Sequence, residues 1–405
     1  MTWPSDVTAG EVVADAGVNY LAPEPGSGYG EAAEDYMTAL RAAGVPVRWT
    51  PLAWGSDAWG PDHNVAPAAG AGFGSYRHGD ICNAPIECDT MVVHSPPLWN
   101  EPWSQRQDVK RRVAYTTWET DRLPAGHVAT LNRYDAVLVP STHNRDAFRR
   151  SGVTAPLHLV PHVARPVPEV QGGQFSALGD DVFVFYVVNT WSARKALAEM
   201  ILAFVEAFTA ADPVVLVVKT TAEDHVALGR IIRGIDTSPG RHAGLTWWTL
   251  AHLLAGRSCV PRIRLVPGEL PRHVIDELHT RGDCFVSLTK GEGWGLGAFE
   301  AAAYGRPVVI TGWGGHRDFL GPGYPYYVDY RLVRAAEDEA DDWYSPDPYE
   351  RWARPDVEHA SALLRRIYEN QDEARAMGGE LRRSVTANFS PERAGARLLA
   401  AVYDQ

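Results

Sequence analysis

In the second half of the chain, short apolar runs recur at 183–188, 214–218, 263–266, 284–288 and 307–310, each separated from the next by enough residues for a helix. Strands that alternate with helices predict a parallel sheet covered on both faces. The segment after the first run is helical in pattern, with Leu197, Met200, Ile201, Phe204, Val205 and Phe208 on one stripe. Those residues are core. The first half repeats the plan less regularly, with strand candidates at 18–21, 45–49, 90–93, 112–115 and 136–139. Pro25-Gly26-Ser27-Gly28-Tyr29-Gly30 reads as a glycine-rich loop opening a helix over 31–42, and Ser141 and Gly152 bracket a further helix. Residues 54–80, rich in Gly, Ala and Pro, read as a long loop.

Pro161, Pro166 and Pro168 fall within nine residues and suit a stiff linker. At 405 residues the chain exceeds one ordinary core. The expected division is therefore 1–165, 166–385, and a terminal helix over 386–405 that returns to the first domain. Two domains imply a cleft between them.

A formal charge of -12 argues against nucleic acid and against an anionic membrane surface as partners. No apolar run is long enough for a membrane span, and the opening Met1-Thr2-Trp3-Pro4-Ser5-Asp6 lacks the basic and apolar regions of a signal peptide, which predicts a cytoplasmic protein. Cys82, Cys88, Cys259 and Cys284 lack the close pairing of a zinc site and read as reduced thiols. The acidic stretch 337–342 reads as a solvated loop, so no metal is expected.

Any anionic ligand must then meet a local basic pocket. Four of the 38 basic residues are lysines, and three of them, Lys195, Lys219 and Lys290, fall just beyond strand ends of the second half. Ligands of open parallel sheets bind there, so the three lysines predict a common anion site. The segment Lys290-Gly291-Glu292-Gly293-Trp294-Gly295-Leu296-Gly297-Ala298-Phe299-Glu300 adds alternating glycines followed by a helix start. Such a loop brings backbone N–H groups close to a ligand, and the new helix turns its positive end toward a diphosphate. Glu300 falls on the apolar side of that helix and needs a polar partner, which ribose hydroxyls would supply. Sugar hydroxyls would do the same for Glu292.

Glu292 and Glu300 form an E-x7-E pattern, and with it the chain resembles the retaining glycosyltransferases of GT-B fold, in particular glycosyltransferase family 4 (group 1). Further similar elements are Gly28-Tyr29-Gly30, Trp118-Glu119-Thr120-Asp121-Arg122-Leu123-Pro124, Val139-Pro140-Ser141, Arg194-Lys195, Gly305-Arg306-Pro307-Val308-Val309, Gly312-Trp313-Gly314-Gly315-His316 and Trp352-Ala353-Arg354-Pro355. The resemblance implies an α/β fold of two Rossmann-like domains whose parallel sheets face a central cleft. The N-terminal domain would bind the acceptor, and the C-terminal domain the nucleotide-sugar donor.

It also implies roles. Lys195 would contact the donor diphosphate, Glu300 would hold the ribose, and Glu292 would orient the transferred sugar. Gly268 would line the nucleobase pocket, and Gly293, Trp294, Gly295, Leu296 and Gly297 would border the donor. The arginine that family members carry six positions before the lysine is Asn189 here, which leaves that charge to Arg194 or Lys219. Where many members place a histidine in the first domain this chain has Thr116, Thr117 and Trp118, so that Glu119 borders the acceptor site. Gly28, Tyr29, Gly30, His94 and Asp121 complete the acceptor candidates, with Glu119, Asp121 and His94 as candidate bases.

The co-substrate would be a nucleotide diphosphate sugar, used without a cofactor or metal. The absence of a basic amphipathic helix argues against a lipid acceptor and stable membrane association, which leaves a small molecule or saccharide. The acidic surface would suit a cationic acceptor such as an aminoglycoside precursor. Two other readings stay open: a sugar-nucleotide epimerase or glycan phosphorylase on the same plan, and a catalytically silent sugar-binding or scaffold protein.

Overall fold

The computed structural model describes residues 16–52, 74, 76–170, 172–232, 235, 242–338 and 348–403. Most of the 54–80 loop therefore lies outside the described residues, as does 339–342 of the acidic stretch. Packing divides the chain into two units, 1–165 with 387–405, and 166–386.

The first unit begins β1 (Gly17–Pro23), α1 (Gly28–Ala42), β2 (Val47–Leu52), β3 (Cys88–His94) and β4 (Arg111–Tyr115). It continues α2 (Ala125–Leu131), β5 (Ala136–Val139), α3 (Thr142–Ser151) and β6 (Leu157–Leu159). The strands form one six-stranded parallel sheet in the order β2-β1-β3-β4-β5-β6. Successive strand residues point to opposite faces, and here both faces are apolar. Tyr20, Val92, Val113 and Leu138 join one core with α1, whereas Leu21, Met91, Val93, Ala114 and Val137 join another on the far side. That two-sided demand is why these strands read as unbroken apolar runs.

Gly28 and Gly30 lie in the first turn of α1 and not in a loop before it. The Ser27 hydroxyl caps the helix by accepting from the Gly30 N–H. A Cβ on Gly30 would stand 1.9 Å from the Glu24 carbonyl oxygen, so only glycine permits this tight strand-to-helix turn.

The second unit runs β7 (Phe183–Val188), α4 (Leu197–Ala207), β8 (Val214–Thr220), α5 (His225–Ile232), α6 (Thr246–Leu253) and β9 (Arg262–Pro267). Then come α7 (Arg272–Arg281), β10 (Cys284–Ser287), α8 (Leu296–Ala303), β11 (Val308–Thr311), α9 (Arg317–Leu320) and β12 (Tyr327–Val328). Its six-stranded sheet has the order β12-β11-β10-β7-β8-β9, again parallel throughout. A hairpin, β13 (Tyr330–Arg334) with β14 (Arg351–Pro355), pairs antiparallel beside it. Two helices follow, α10 (Val357–Glu369) and α11 (Gln371–Asn388), the second ending across the boundary between the units.

The final helix, α12 (Pro391–Tyr403), buries Ala394, Leu398, Leu399 and Val402 in the α1 core of the first unit. Among the described residues no helix is long and apolar enough to cross a membrane.

Candidate active site

In the second unit β7 lies between β8 and β10, and the chain leaves β7 and β10 toward opposite edges of the sheet. The crevice beyond their carboxyl ends is the switch point where open parallel sheets bind ligands. Two segments border it, one following β7 and one following β10. They are tied together by Lys290 N–H donating to the Arg194 carbonyl at 2.7 Å, and by the Arg194 Nη1 donating to the Gly291 carbonyl at 2.7 Å. Beyond β11 the Gly315 N–H donates to the Glu292 carbonyl at 2.8 Å.

Within this frame the Lys195 ammonium donates to Glu292 Oε1 at 2.6 Å, and Arg194 Nη1 stands 3.5 Å from Oε2. Burial by itself would raise the Glu292 carboxyl, but the Lys195 and Arg194 charges and the Lys195 hydrogen bond outweigh it and hold the group at about 2. Glu292 is therefore a carboxylate at any physiological pH. Next to it His316 is fully buried, and burial brings its ring down to about 4, so it is neutral. Its Nε2 donates to the Thr311 carbonyl at 2.7 Å, which makes Nδ1 the acceptor nitrogen.

Three residues past Glu292, α8 starts without a side-chain cap. Gly295 takes its N-cap position at φ 91°, a left-handed conformation that glycine adopts without strain. The first-turn N–H groups, including those of Leu296 and Gly297, thus lack the usual side-chain acceptor and carry the partial positive end of the helix. Ala196, adjoining Lys195, is also left-handed at φ 49° although it carries a Cβ. Strain of that kind clusters at ligand sites.

Glu300 lies one helical turn on in α8. Its Oε1 accepts from Arg272 Nη1 at 2.5 Å, and its Oε2 lies 3.4 Å from His279 Nε2. Asn189, Lys219 and Gly268 gather at the ends of β7, β8 and β9: the Asn189 N–H donates to the Lys219 carbonyl at 3.1 Å, and the Gly268 N–H to the Thr220 carbonyl at 2.9 Å. Asn189 Nδ2 reaches Ser287 Oγ at 3.2 Å. Burial lowers the Lys219 ammonium, an effect that Glu269 opposes. The Trp294 ring is buried against Phe299 and Phe319 and belongs to the core; Gly293 beside it is buried too.

Lys290 corrects the expectation of a three-lysine anion site. It is buried, with Asp338 at 3.0 Å, Glu199 at 3.3 Å and the Trp352 ring beneath it, so its charge fastens the hairpin to α4. Asp338, from the acidic stretch, also accepts from Trp352 Nε1 at 3.0 Å and Arg354 Nη2 at 3.1 Å. It is a structural partner and not part of a solvated run.

In the first unit, the acceptor candidates gather at the carboxyl ends of β1, β3 and β4. The Tyr29 hydroxyl pairs with Thr117 Oγ1 at 2.9 Å, joining the start of α1 to the segment after β4. Burial and the nearby Glu119 charge push that phenol up to about 12. Glu119 is half-buried, and Asp121, which is buried, lies 3.8 Å from Arg122 Nε. His94 is buried: its Nδ1 bonds the Tyr20 hydroxyl at 2.9 Å, its ring centroid is 4.2 Å from that of Tyr115, and burial drives its pKa well below the ordinary value. It stands in a polar core cluster with Tyr36, whose hydroxyl is 2.6 Å from that of Tyr115.

Residues 264–353, from β9 to β14, match the family described as Glycosyl transferases group 1. The chain carries a group 1 glycosyl transferase domain. That domain makes the protein a glycosyltransferase by class, and solved structures show the surrounding fold to be GT-B. Sucrose-phosphate synthase from Thermosynechococcus elongatus superposes with a TM-score of 0.65 at 16% identity, over 95% of this chain and 97% of that one. HepE of Anabaena, solved with UDP and glucose, gives 0.62 at 11% identity over 96% and 100%. A trehalose-6-phosphate protein from E. coli bound with UDP-2-fluoro glucose gives 0.60 at 14% identity over 96% and 99%. Among curated proteins nothing matches.

The matched segment of the group 1 domain contains Gly268, Glu292, Glu300 and His316 and stops short of Arg194 and Lys195, which the fold brings to it. Sequence reasoning missed Arg272 and His279 as neighbours of Glu300. Arg272 and Asp276 are visible in sequence as an i,i+4 ion pair, but nothing local announces that the same guanidinium reaches α8.

Proposed function

We propose that the chain is a cytoplasmic retaining glycosyltransferase that moves a sugar from a nucleotide diphosphate sugar to a soluble small-molecule or saccharide acceptor without a metal ion. The observation that carries this is the Lys195–Glu292 ion pair at 2.6 Å, set across the switch point just ahead of the uncapped start of α8. It places a cation for a leaving diphosphate beside an anion for a cationic sugar ring.

Breaking the anomeric C–O bond builds negative charge on the diphosphate and positive charge on the ring. Lys195, Arg194 and the first-turn N–H groups of α8 take up the negative charge. Glu292, kept ionised by the same cations, stabilises the positive ring and accepts hydrogen bonds from sugar hydroxyls. The acceptor oxygen bonds to the anomeric carbon on the face that the diphosphate leaves, and its proton passes to the departing phosphate oxygen. Configuration is retained. Glu300 holds the ribose, while Asn189, Lys219 and Gly268 border the base and diphosphate. Glu119, Asp121 and Tyr29, with Gly28 and Gly30 shaping the turn, contact the acceptor; buried His94 supports them.

Uridine nucleotides are the first donors to try, because HepE was solved with UDP and the E. coli protein with a UDP-sugar. The test follows release of nucleoside diphosphate from UDP-, GDP-, ADP- and TDP-sugars with pooled sugars and aminocyclitols in a chelator, and assigns the product anomer by NMR. A product with the donor's configuration is expected. An inverted product, or turnover that stops in chelator, overturns the proposal.

A further inference from the structure

The carboxylate of Glu300 is backed by a hydrogen-bonded cluster that the chemistry above does not use. Arg272 opens α7 and directs Nη1 to Glu300 Oε1 at 2.5 Å while its Nε donates to Asp276 Oδ1 at 2.9 Å. The same Asp276 oxygen accepts from the Tyr304 hydroxyl at 2.8 Å. The Tyr304 ring is stacked on His279, 5.1 Å between centroids and 27° between planes. His279 is wholly buried, with Nδ1 2.9 Å from the Tyr186 hydroxyl. Its Nε2 has no hydrogen-bond partner among the described residues, yet it stands 3.4 Å from Glu300 Oε2.

A carboxylate only accepts, so the ring nitrogen turned toward it does useful work only when it carries the hydrogen. With Nδ1 accepting from Tyr186, the ring hydrogen sits on Nε2, 3.4 Å from Glu300 Oε2 but outside hydrogen-bond geometry. The carboxylate is then flanked by Arg272 at one oxygen and His279 at the other. Two parallel acceptors side by side match the vicinal hydroxyls of a ribose and cannot both be used by a deoxyribose.

We infer that Arg272 and His279 are positioning residues that set the Glu300 carboxylate to accept both ribose hydroxyls, and that the site thereby discriminates ribonucleotides from 2′-deoxyribonucleotides. This rests on the assignment of Glu300 to the donor ribose. A ligand lacking one hydroxyl leaves a fixed, partly buried acceptor without its donor, and such losses are the strong form of specificity.

The experiment is calorimetric titration of the full chain with UDP, GDP and ADP, each against its 2′-deoxy counterpart. For whichever pair binds, the ribo form is expected to bind about tenfold tighter. Glu300→Ala should bring the ratio near one. Arg272→Ala should cut it to about threefold or less, with the deoxy affinity nearly unchanged, and Arg272→Lys should recover part of it. His279→Gln should act in the same direction; if it does not fold, the half-exposed Arg272 series decides alone. A ratio that survives Arg272→Ala but not Glu300→Ala overturns the positioning role and leaves the donor assignment standing. A wild-type ratio near one, unchanged in Glu300→Ala, overturns both.

Discussion

Lys195 keeps Glu292 ionised inside the fold. Glu292 is an acid whose folded pKa, about 2, lies below its ordinary value of 4.5, so the stability it contributes is complete above 4.5 and is lost as pH falls toward 2. The carboxylate therefore adds no inflection to activity at neutral pH. Lys195→Ala removes the strongest of the charges opposing burial, and the Glu292 resonance in a carboxyl-labelled NMR titration should move to higher pH. The same substitution should lower kcat/KM by about 10²–10³, the usual cost of deleting one electrostatic contact to a developing charge. Glu292→Gln keeps the shape but removes the charge, and is expected to reduce kcat by a similar factor with donor affinity little changed. Equal turnover by wild type and Glu292→Gln would mean the carboxylate does not face the reacting sugar.

At the scale of elements, the two loops of the switch point store conformations that can be tested by single substitutions. Gly295→Ala places a Cβ on a left-handed residue and should destabilise the protein by about 1–2 kcal/mol, seen as a lower melting temperature. Ala196→Gly relieves the same kind of strain beside Lys195, and denaturant unfolding should show a gain of up to about 1 kcal/mol. The strands that hold these loops were legible in sequence because a parallel sheet buried on both faces needs unbroken apolar runs, as in Phe183–Val188. β6 and β12 were not, since three-residue and two-residue edge strands carry no period. The β13–β14 hairpin escaped because Arg331, Arg334, Arg351 and Arg354 break its apolar pattern. In the site, Lys195, Glu292 and Glu300 stood out by residue type and spacing. Arg272 and His279 did not, because their roles arise from contacts between elements distant in sequence, and His316 was legible only as part of a motif, without a role of its own. Lys290 misled for the opposite reason: its position past a strand end matched a ligand contact, while Glu199 and Asp338 had already claimed its charge.

For the whole molecule, buried histidines that the fold holds neutral, His316, His162 and His94 among them, set the acid limit. Burial lowers His316 to about 4, His162 to about 3, and His94 well below its ordinary value. Each stays neutral in the folded state at pH values where the unfolded chain binds a proton, so stability is intact above about 6.5 and falls with pH below it. Each costs about 1.4 kcal/mol per pH unit until its folded pKa is reached. Two of the three, His94 and His162, lie in the first unit, so scanning calorimetry between pH 6.5 and 4.5 should show the first unit's transition dropping faster than the second's. Parallel decline of both units would place the acid sensitivity elsewhere. The central claim is that a nucleoside diphosphate is gripped at the switch point by Lys195 without a metal, and the most direct measurement is titration calorimetry of UDP, GDP, ADP and TDP in chelator with wild type and Lys195→Ala. One of the four should bind the wild type selectively and lose affinity about tenfold or more in the variant. Binding that is equal in both proteins, or absent for all four nucleotides, would contradict it.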